Sequence, residues 1–564
     1  MSTKPKLSPI AGVGVLVLPA SYSHMLPLIL AFMQASPPAP DSAAVRREAR
    51  ELQSQFERFR RENLPISEVG KDKCEVRIGR FCYWYDPADP PLPDEPKEIA
   101  DARADLLAQL EHLATFSPTD PWVLAQRVRY TVEQGLPDSA VAIASCGTWW
   151  CKALAAYAYY YKGDVGTADS LYTRAMAQAP MGVRCDWNHL GQALEPQEKA
   201  IYDRLDCRQR DSVDAYLFWR GRPAFSRPGN DVRVQWYARM TAIRAYGEGV
   251  THHGMVGSRD YFEMLSRYGM ETSYARRPPK ENEEINVVGL EPKPSYPFLA
   301  PLEEGKWPPE APKPASRFST IRFAKAIGTL QNVQLARFRR GDSLVVVAGF
   351  NAVHDSLFIS PRVVAGISLS NSPTARTATT LSPAPGGRGS LGVRGKAGGV
   401  VSVELMDSVH RAFSIYRLPL DSAPATISDL LITVPGDSLP ESPEQAAGMV
   451  WPGLRVVVGS TIGLYWETYQ VTAADSLLAV TLSVEPVKPG FFGRLTQSLG
   501  LKSKVPPLRL SWARRDEGDM DFAAHSVEVD LSRLKTGSYV VTVELSDGRK
   551  TTRHIEIIPR PGGT

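Results

Sequence analysis

Four side chains in one stretch have the types that a metal ion takes: His252 and His253, followed by Asp260 and Glu263. A zinc hydrolase places two histidines one helical turn apart, in HExxH, so that both face one point. Here the histidines are adjacent, and adjacent side chains point in different directions on a helix or a strand. The spacing therefore predicts no metal site. Nucleophilic chemistry has no better footing, because the chain contains neither a GxSxG elbow nor a GxxxxGK[ST] phosphate loop. The Gly-rich run at residues 386–392 lacks the lysine and the strand-to-helix setting of a phosphate site, and reads as a loop. Glu467, beside Trp466, has the carboxylate of a glycosidase acid but no nameable partner. On an alternating strand it is expected at solvent or in a salt bridge. No catalytic residue and no cofactor are expected.

Six cysteines, Cys74, Cys82, Cys146, Cys151, Cys185 and Cys207, all fall in the first 210 residues. An even number behind an export-like leader points to disulfides rather than to a thiolate nucleophile. Six cysteines allow fifteen pairings. Proximity favours Cys74 with Cys82, Cys146 with Cys151 and Cys185 with Cys207. Free buried thiols and zinc are the rivals, and zinc is disfavoured because no CxxC pair exists.

Binding surfaces are the other place to look. Trp149, Trp150, Tyr160 and Tyr161 are the candidates, on one helical stretch. Their spacing spreads them round a helix, so some pack between helices while the rest are free to line a groove. Residues 78–86 form a second aromatic cluster, read as buried packing or a disulfide-stapled loop, with a carbohydrate- or peptide-stacking surface as the sharper reading. The charge balance excludes a nucleic-acid binder: 65 basic against 61 acidic residues give a net charge of +4, with no basic stripe. The densest basic run, Arg337 to Arg340, reads as a solvated strand edge or loop.

Three or four domains are expected to position these residues, since 564 residues exceed one ordinary core. Residues 1–36 read as a signal peptide with cleavage near Ala35 or Ser36, or as an uncleaved membrane anchor. An amphipathic helix follows from Asp41 to Asn63, with Leu52, Phe56 and Phe59 at helical spacing. Within residues 41–210, Ala156, Tyr159, Gly163, Ala168, Tyr172, Ala175 and Pro180 resemble a tetratricopeptide repeat, with helices at 148–162 and 165–179. A degraded copy precedes it around Trp122, Gly135, Pro137 and Ala140. A helical segment at 211–278 leads into a Pro-rich linker or strap at 279–316. Two β-regions, 317–425 and 427–564, each have the size and period-2 alternation of an immunoglobulin-like antiparallel sandwich. Residues 539–545 and 552–558 form a hairpin about Asp547 and Gly548, with Tyr539, Val541, Val543 and Leu545 facing inward. Residues 491–504 read as a basic insertion. The fold class is multidomain α + β.

Several segments occur in an order that resembles the bacterial GWxTD-domain proteins, a largely uncharacterised exported family. They are Phe218–Trp219, residues 267–269, Arg317–Phe318, residues 334–342, residues 428–431, residues 464–469 and residues 534–539. The resemblance runs from about Ser212 to the C-terminus. The naming motif is absent: residues 253–260 keep its Gly and its Asp, with Met255 in place of Trp. The family implies export, and it brings no established catalytic residues to carry over. The reading is a non-enzymatic binding or scaffold protein of the bacterial cell envelope, periplasmic or extracellular, with a protein partner. Membrane contact is expected only through an uncleaved N-terminal segment. An envelope hydrolase acting on peptide or glycan and a membrane-tethered assembly subunit are the alternatives.

Overall fold

A computed structural model describes residues 41–70, 73–84, 86, 88–194, 196–278, 286–290, 296–298, 317–319, 323–324, 326–353, 358, 360–420, 422–471, 477–487, 507–515 and 520–560. The leader, most of the Pro-rich stretch and the basic insertion lie outside the described residues. The chain has a helical N-terminal region and a β-rich C-terminal part.

Helix starts in the N-terminal region follow their caps. Asp120 accepts from the N–H groups of Trp122 and Val123 ahead of helix Pro121–Glu133, whose first residue is the Pro that a helix start tolerates. Thr148 caps helix Trp149–Lys162, and Gly163, at φ 84°, ends it in a left-handed turn. Asp164 then caps helix Val165–Gln178. This hairpin matches the expected repeat helices to within a residue at each outer end. Ala156, Ala168 and Ala175 are buried within it, as is Tyr172. Helix Asp231–Tyr246 packs across the hairpin, with Tyr160 donating to Gln235 at 2.8 Å and Tyr172 beside Thr241 at 3.1 Å. Helix Cys207–Gly221 begins before residue 211, and one apolar core runs from Ile78 to Met270. The helical region is thus continuous across the expected boundary at 210/211, because the helices on either side of it share buried faces.

Disulfides join Cys74 to Cys82, Cys146 to Cys151 and Cys185 to Cys207. The first closes the short hairpin Val76–Ile78 and Phe81–Tyr83. Within the expected linker, strand Val287–Leu290 pairs antiparallel with Ser273–Arg276 and buries Val287, so this part lies along the helical region as a strap.

In the first β-region, a five-stranded sheet has the order Ala378–Pro383, Val363–Ser370, Val400–Asp407, Ala412–Pro419 and Ala326–Thr329. It shares a core with the three-stranded sheet Arg388–Lys396, Ser343–Asn351 and Val333–Arg340. The second β-region repeats the plan. A three-stranded sheet of Leu431–Thr433, Thr461–Val471 and Met520–Asp530 shares its core with five strands. These run Arg455–Val457, Lys550–Ile558, Gly537–Leu545, Leu477–Pro486 and Leu508–Arg515. The terminal hairpin turns at Gly548, at φ 89°, which suits glycine. Tyr539, Val541, Val543 and Leu545 are buried while Glu544 is exposed, which is the expected alternation.

Candidate functional site

The chemistry-bearing side chains gather at three buried places: two junctions between regions, and one cluster inside the helical region. At the first junction Glu404, on strand Val400–Asp407, is fully buried against the loop that follows helix Cys207–Gly221. Its Oε1 accepts from the Phe225 N–H at 2.8 Å and the Ser402 hydroxyl at 2.7 Å. Its Oε2 accepts from the Ser226 N–H at 3.0 Å and from the Ser226 hydroxyl. Trp219 donates its indole N–H to Ser370 at 2.7 Å, and Arg417 donates to the Pro223 carbonyl at 2.7 Å. Gly366 is needed for the approach, since a Cβ there would stand 2.8 Å from that of Ser226.

The second junction joins the three-stranded sheets of the two β-regions through Ala336, Phe338, Val345, Val347, Leu431 and Tyr465. Gln334 spans it, accepting from the Ile432 N–H at 3.0 Å and donating to the Ile432 carbonyl at 2.9 Å. Gly349 lets the chains meet, because a Cβ there would lie 2.6 Å from the Trp451 carbonyl oxygen. Arg337 forms a forked pair with Asp429, at 2.7 and 3.1 Å, and Arg340 forms another with Glu467, at 2.7 and 2.6 Å. Tyr465 and Tyr469 donate to the same Glu467 carboxylate, at 2.7 and 3.1 Å. Burial and that carboxylate push both phenols well above their ordinary range. The basic run therefore corrects its expectation of a solvated edge: Arg337 and Arg340 spend their charge on the second β-region, and the Arg339 guanidinium lies over the Tyr469 ring. Glu467 is fully buried and takes the salt-bridge alternative rather than solvent.

Inside the helical region, Glu57 and Arg129 pair at 2.9 Å, both buried, and Tyr130 donates to Glu57 at 2.7 Å. Glu133 pairs with Arg129 and Arg60 at 2.9 and 3.0 Å. Burial alone would push the Glu133 carboxyl up, but the guanidiniums of Arg129, Arg60 and Arg103 outweigh it and hold it at about 2.

Close by, His252 and His253 turn toward one carboxylate. The Nε2 atoms of both lie 3.0 Å from Glu271 Oε2. The Tyr261 hydroxyl is 2.8 Å from His252 Nε2 and 3.3 Å from Glu271 Oε2. Burial lowers the His252 imidazole to about 4, against the raising effect of Glu271. Adjacent histidines converge because they sit in a tight turn and not on a helix or strand. Thr251 N–H donates to the Met255 carbonyl at 2.8 Å, and Gly254 at φ 78° reverses the chain. The expectation that the two adjacent side chains diverge is corrected here. Of its two acidic partners, Glu263 pairs instead with Arg267 at 3.1 Å, and the carboxylate that joins the histidines is Glu271. A His-His-Gly turn with an acid just past the next helix was the available signal.

Trp150 and Tyr160 are buried, while Trp149 and Tyr161 are half-buried against the same core. Trp150 donates to the Pro121 carbonyl at 3.0 Å, and Arg244 stacks over the Trp149 and Trp150 rings at 5.0 and 5.3 Å. Helix Asp231–Tyr246 thus packs against Trp149, Trp150 and Tyr160, while the Tyr161 hydroxyl lies 3.5 Å from the Met270 sulfur. The Gly-rich run corrects its expectation of a loop: a short 3-10 turn at Pro385–Gly387 leads directly into strand Arg388–Lys396, which takes in residues 388–392. Among the described residues no helix is long and apolar enough to cross a membrane.

No protein-family model matches the chain, and no curated protein matches it. Among solved structures, one described as the structural basis of neurohormone perception by the receptor tyrosine kinase Torso is similar at 9% identity and a TM-score of 0.12, over 42% of this chain and 76% of that one. A red sea bream transglutaminase is similar at 11% identity and a TM-score of 0.13, over 40% of this chain and 31% of that one. Likenesses at these scores bear on neither fold nor function.

Proposed function

We propose that the chain is an exported, non-enzymatic scaffold of the bacterial cell envelope. It holds a tetratricopeptide-like helical module and two immunoglobulin-like sandwiches in fixed relation, and presents their outer surfaces to a protein partner. The observation that carries this reading is the state of the junction carboxylates. Both oxygens of Glu404 and both of Glu467 accept hydrogen bonds from groups that tie regions together, so neither carboxylate is left for acid or base work. Three disulfides fit an oxidising, exported environment. The GWxTD resemblance supports the same reading. Trp219, Gln334, Arg337, Arg340, Asp429, Tyr465 and Glu467 fall in its matching segments, and each makes a junction contact.

The test is photocrosslinking in intact bacteria. A photoreactive residue is placed at exposed Met181, Leu381 or Leu510, one in each region. The proposal expects a chain outside the cytoplasm with no free thiol, and a discrete adduct to one envelope protein from at least one position. A chain retained in the cytoplasm with reduced cysteines, or no adduct from any position, overturns it.

A further inference from the structure

We propose that His252, His253 and Glu271 form a structural site for a divalent transition-metal ion, zinc foremost, that clips together the end of the helical region. This goes beyond the scaffold reading and does not depend on it. One atom from each of the three side chains lies within 4.8 Å of the others. Two imidazole nitrogens and a carboxylate oxygen are a zinc donor set, and at metal–ligand distances of about 2.0–2.1 Å a tetrahedron has edges of about 3.3 Å. Glu271 Oε2 stands 3.0 Å from each imidazole Nε2, a little under that edge.

The geometry is set from several sides. The His252 ring lies against Tyr274, with centroids 4.0 Å apart, and edge-on to Tyr246 at 6.0 Å. The His253 ring meets Phe81 edge-on at 5.1 Å, which brings the Cys74–Cys82 hairpin onto the cluster. The Tyr261 hydroxyl oxygen lies beside both His252 and Glu271, where a fourth ligand would stand. Glu271 and both histidines are nearly inaccessible to solvent. A site closed in this way suits a structural ion better than a catalytic one, which keeps a position open for water or substrate.

His252 Nε2 faces the Glu271 carboxylate at 3.0 Å and the Tyr261 hydroxyl at 2.8 Å together, and that hydroxyl also donates to Glu271 at 3.3 Å. A metal ion takes the nitrogen lone pairs and the carboxylate at once. Its ligands come from the turn after helix Asp231–Tyr246 and from the residues after helix Arg259–Tyr268. The ion would therefore close a loop of chain and add its binding free energy to folding.

The experiment uses the full oxidised chain without an affinity tag, stripped with chelator and titrated first with cobalt(II) and then with zinc(II). One equivalent of cobalt should give the visible absorption of a four-coordinate site, and zinc should displace it. X-ray absorption of the zinc form should show two imidazoles in an all-nitrogen/oxygen shell, and the melting temperature of the helical region should rise with zinc. His253→Gln and Glu271→Gln should each weaken zinc binding at least tenfold with the three disulfides intact. If these variants fail to fold, the absorption spectra of the unaltered chain decide alone. No stoichiometric cobalt or zinc on the folded chain, a shell without two imidazoles, or unchanged zinc affinity in both folded variants would overturn the site.

Discussion

The helical region and the β-regions bury charge in opposite places. The helical region puts it at the centre: Glu57 and Arg129 are fully enclosed among packed helices, with Glu133, Arg60 and Arg103 beside them. In the β-regions the buried carboxylates Glu404 and Glu467 stand where another region docks, while buried Asp407 pairs with His410 in the turn after its own strand. The difference follows from how each region fixes its register. Strand pairs are held by their ladders and by an alternation that a one-residue slip would invert. Helices that cross on small residues such as Ala156 and Ala168 have no ladder between them, so directional ion pairs, and the Cys185–Cys207 disulfide between two helices, do that work. The β-regions are then free to use charge for joining.

The comparison breaks first if the central ion pair proves dispensable. Glu57→Ala removes one of the two carboxylates that Arg129 pairs with and the acceptor of the buried Tyr130 hydroxyl, and should destabilise the helical region by about 3 kcal/mol. Scanning calorimetry should show that loss while the transition of the β-regions stays in place. In the β-regions the counterpart is an apolar residue. Tyr539→Ala should cost about 3 kcal/mol, read by chemical denaturation.

A pH series sharpens the helical side. Asp231 is buried at the start of its helix, and burial pushes its carboxyl up from 3.8 to about 7, against the pull of Arg227 and Arg222. The folded state therefore keeps a proton that the unfolded chain releases. This contribution to stability is complete below the unfolded value and is lost as pH rises through about 7. The loss should be on the order of 4 kcal/mol between pH 4 and pH 8. Asp231→Asn should flatten that part of the profile, and an unchanged slope would remove Asp231 as its source.

Smaller effects are expected at the junctions. Glu404→Ala strands the Phe225 and Ser226 N–H groups, at a cost of about 1–3 kcal/mol. Hydrogen exchange should quicken at residues 223–226 while the strands of the first β-region keep their protection. Glu544→Ala, on the exposed face opposite Tyr539, should cost well under about 1 kcal/mol. If it proves more damaging than Tyr539→Ala, the face assignment fails.

Local patterns were legible in the sequence. The alternation about Tyr539 gave the strand and its buried face, Gly163 and Gly548 marked turns, and short separations picked out the three disulfides. Distant pairing was not legible. Arg337 meets Asp429 across 92 residues and Arg340 meets Glu467 across 127, and a basic run looks the same whether its partner is water or another region. Trp150 and Tyr160 carried no sign that helix Asp231–Tyr246 would pack against them. Convergence of His252 and His253 depended on a turn whose left-handed glycine was visible, but whose third member lies beyond a helix.

Rigid coupling of the regions through buried carboxylates is the central claim, and a distance measurement tests it most directly. Spin labels at exposed Lys97, at the start of helix Lys97–Phe116, and at exposed Lys550, on the final strand, span all three regions. Pulsed electron paramagnetic resonance on the oxidised full chain should give one narrow distance distribution, which broadens when Glu404→Ala and Glu467→Ala are combined. A broad distribution in the unaltered chain, or a narrow one that survives both substitutions, would contradict the account.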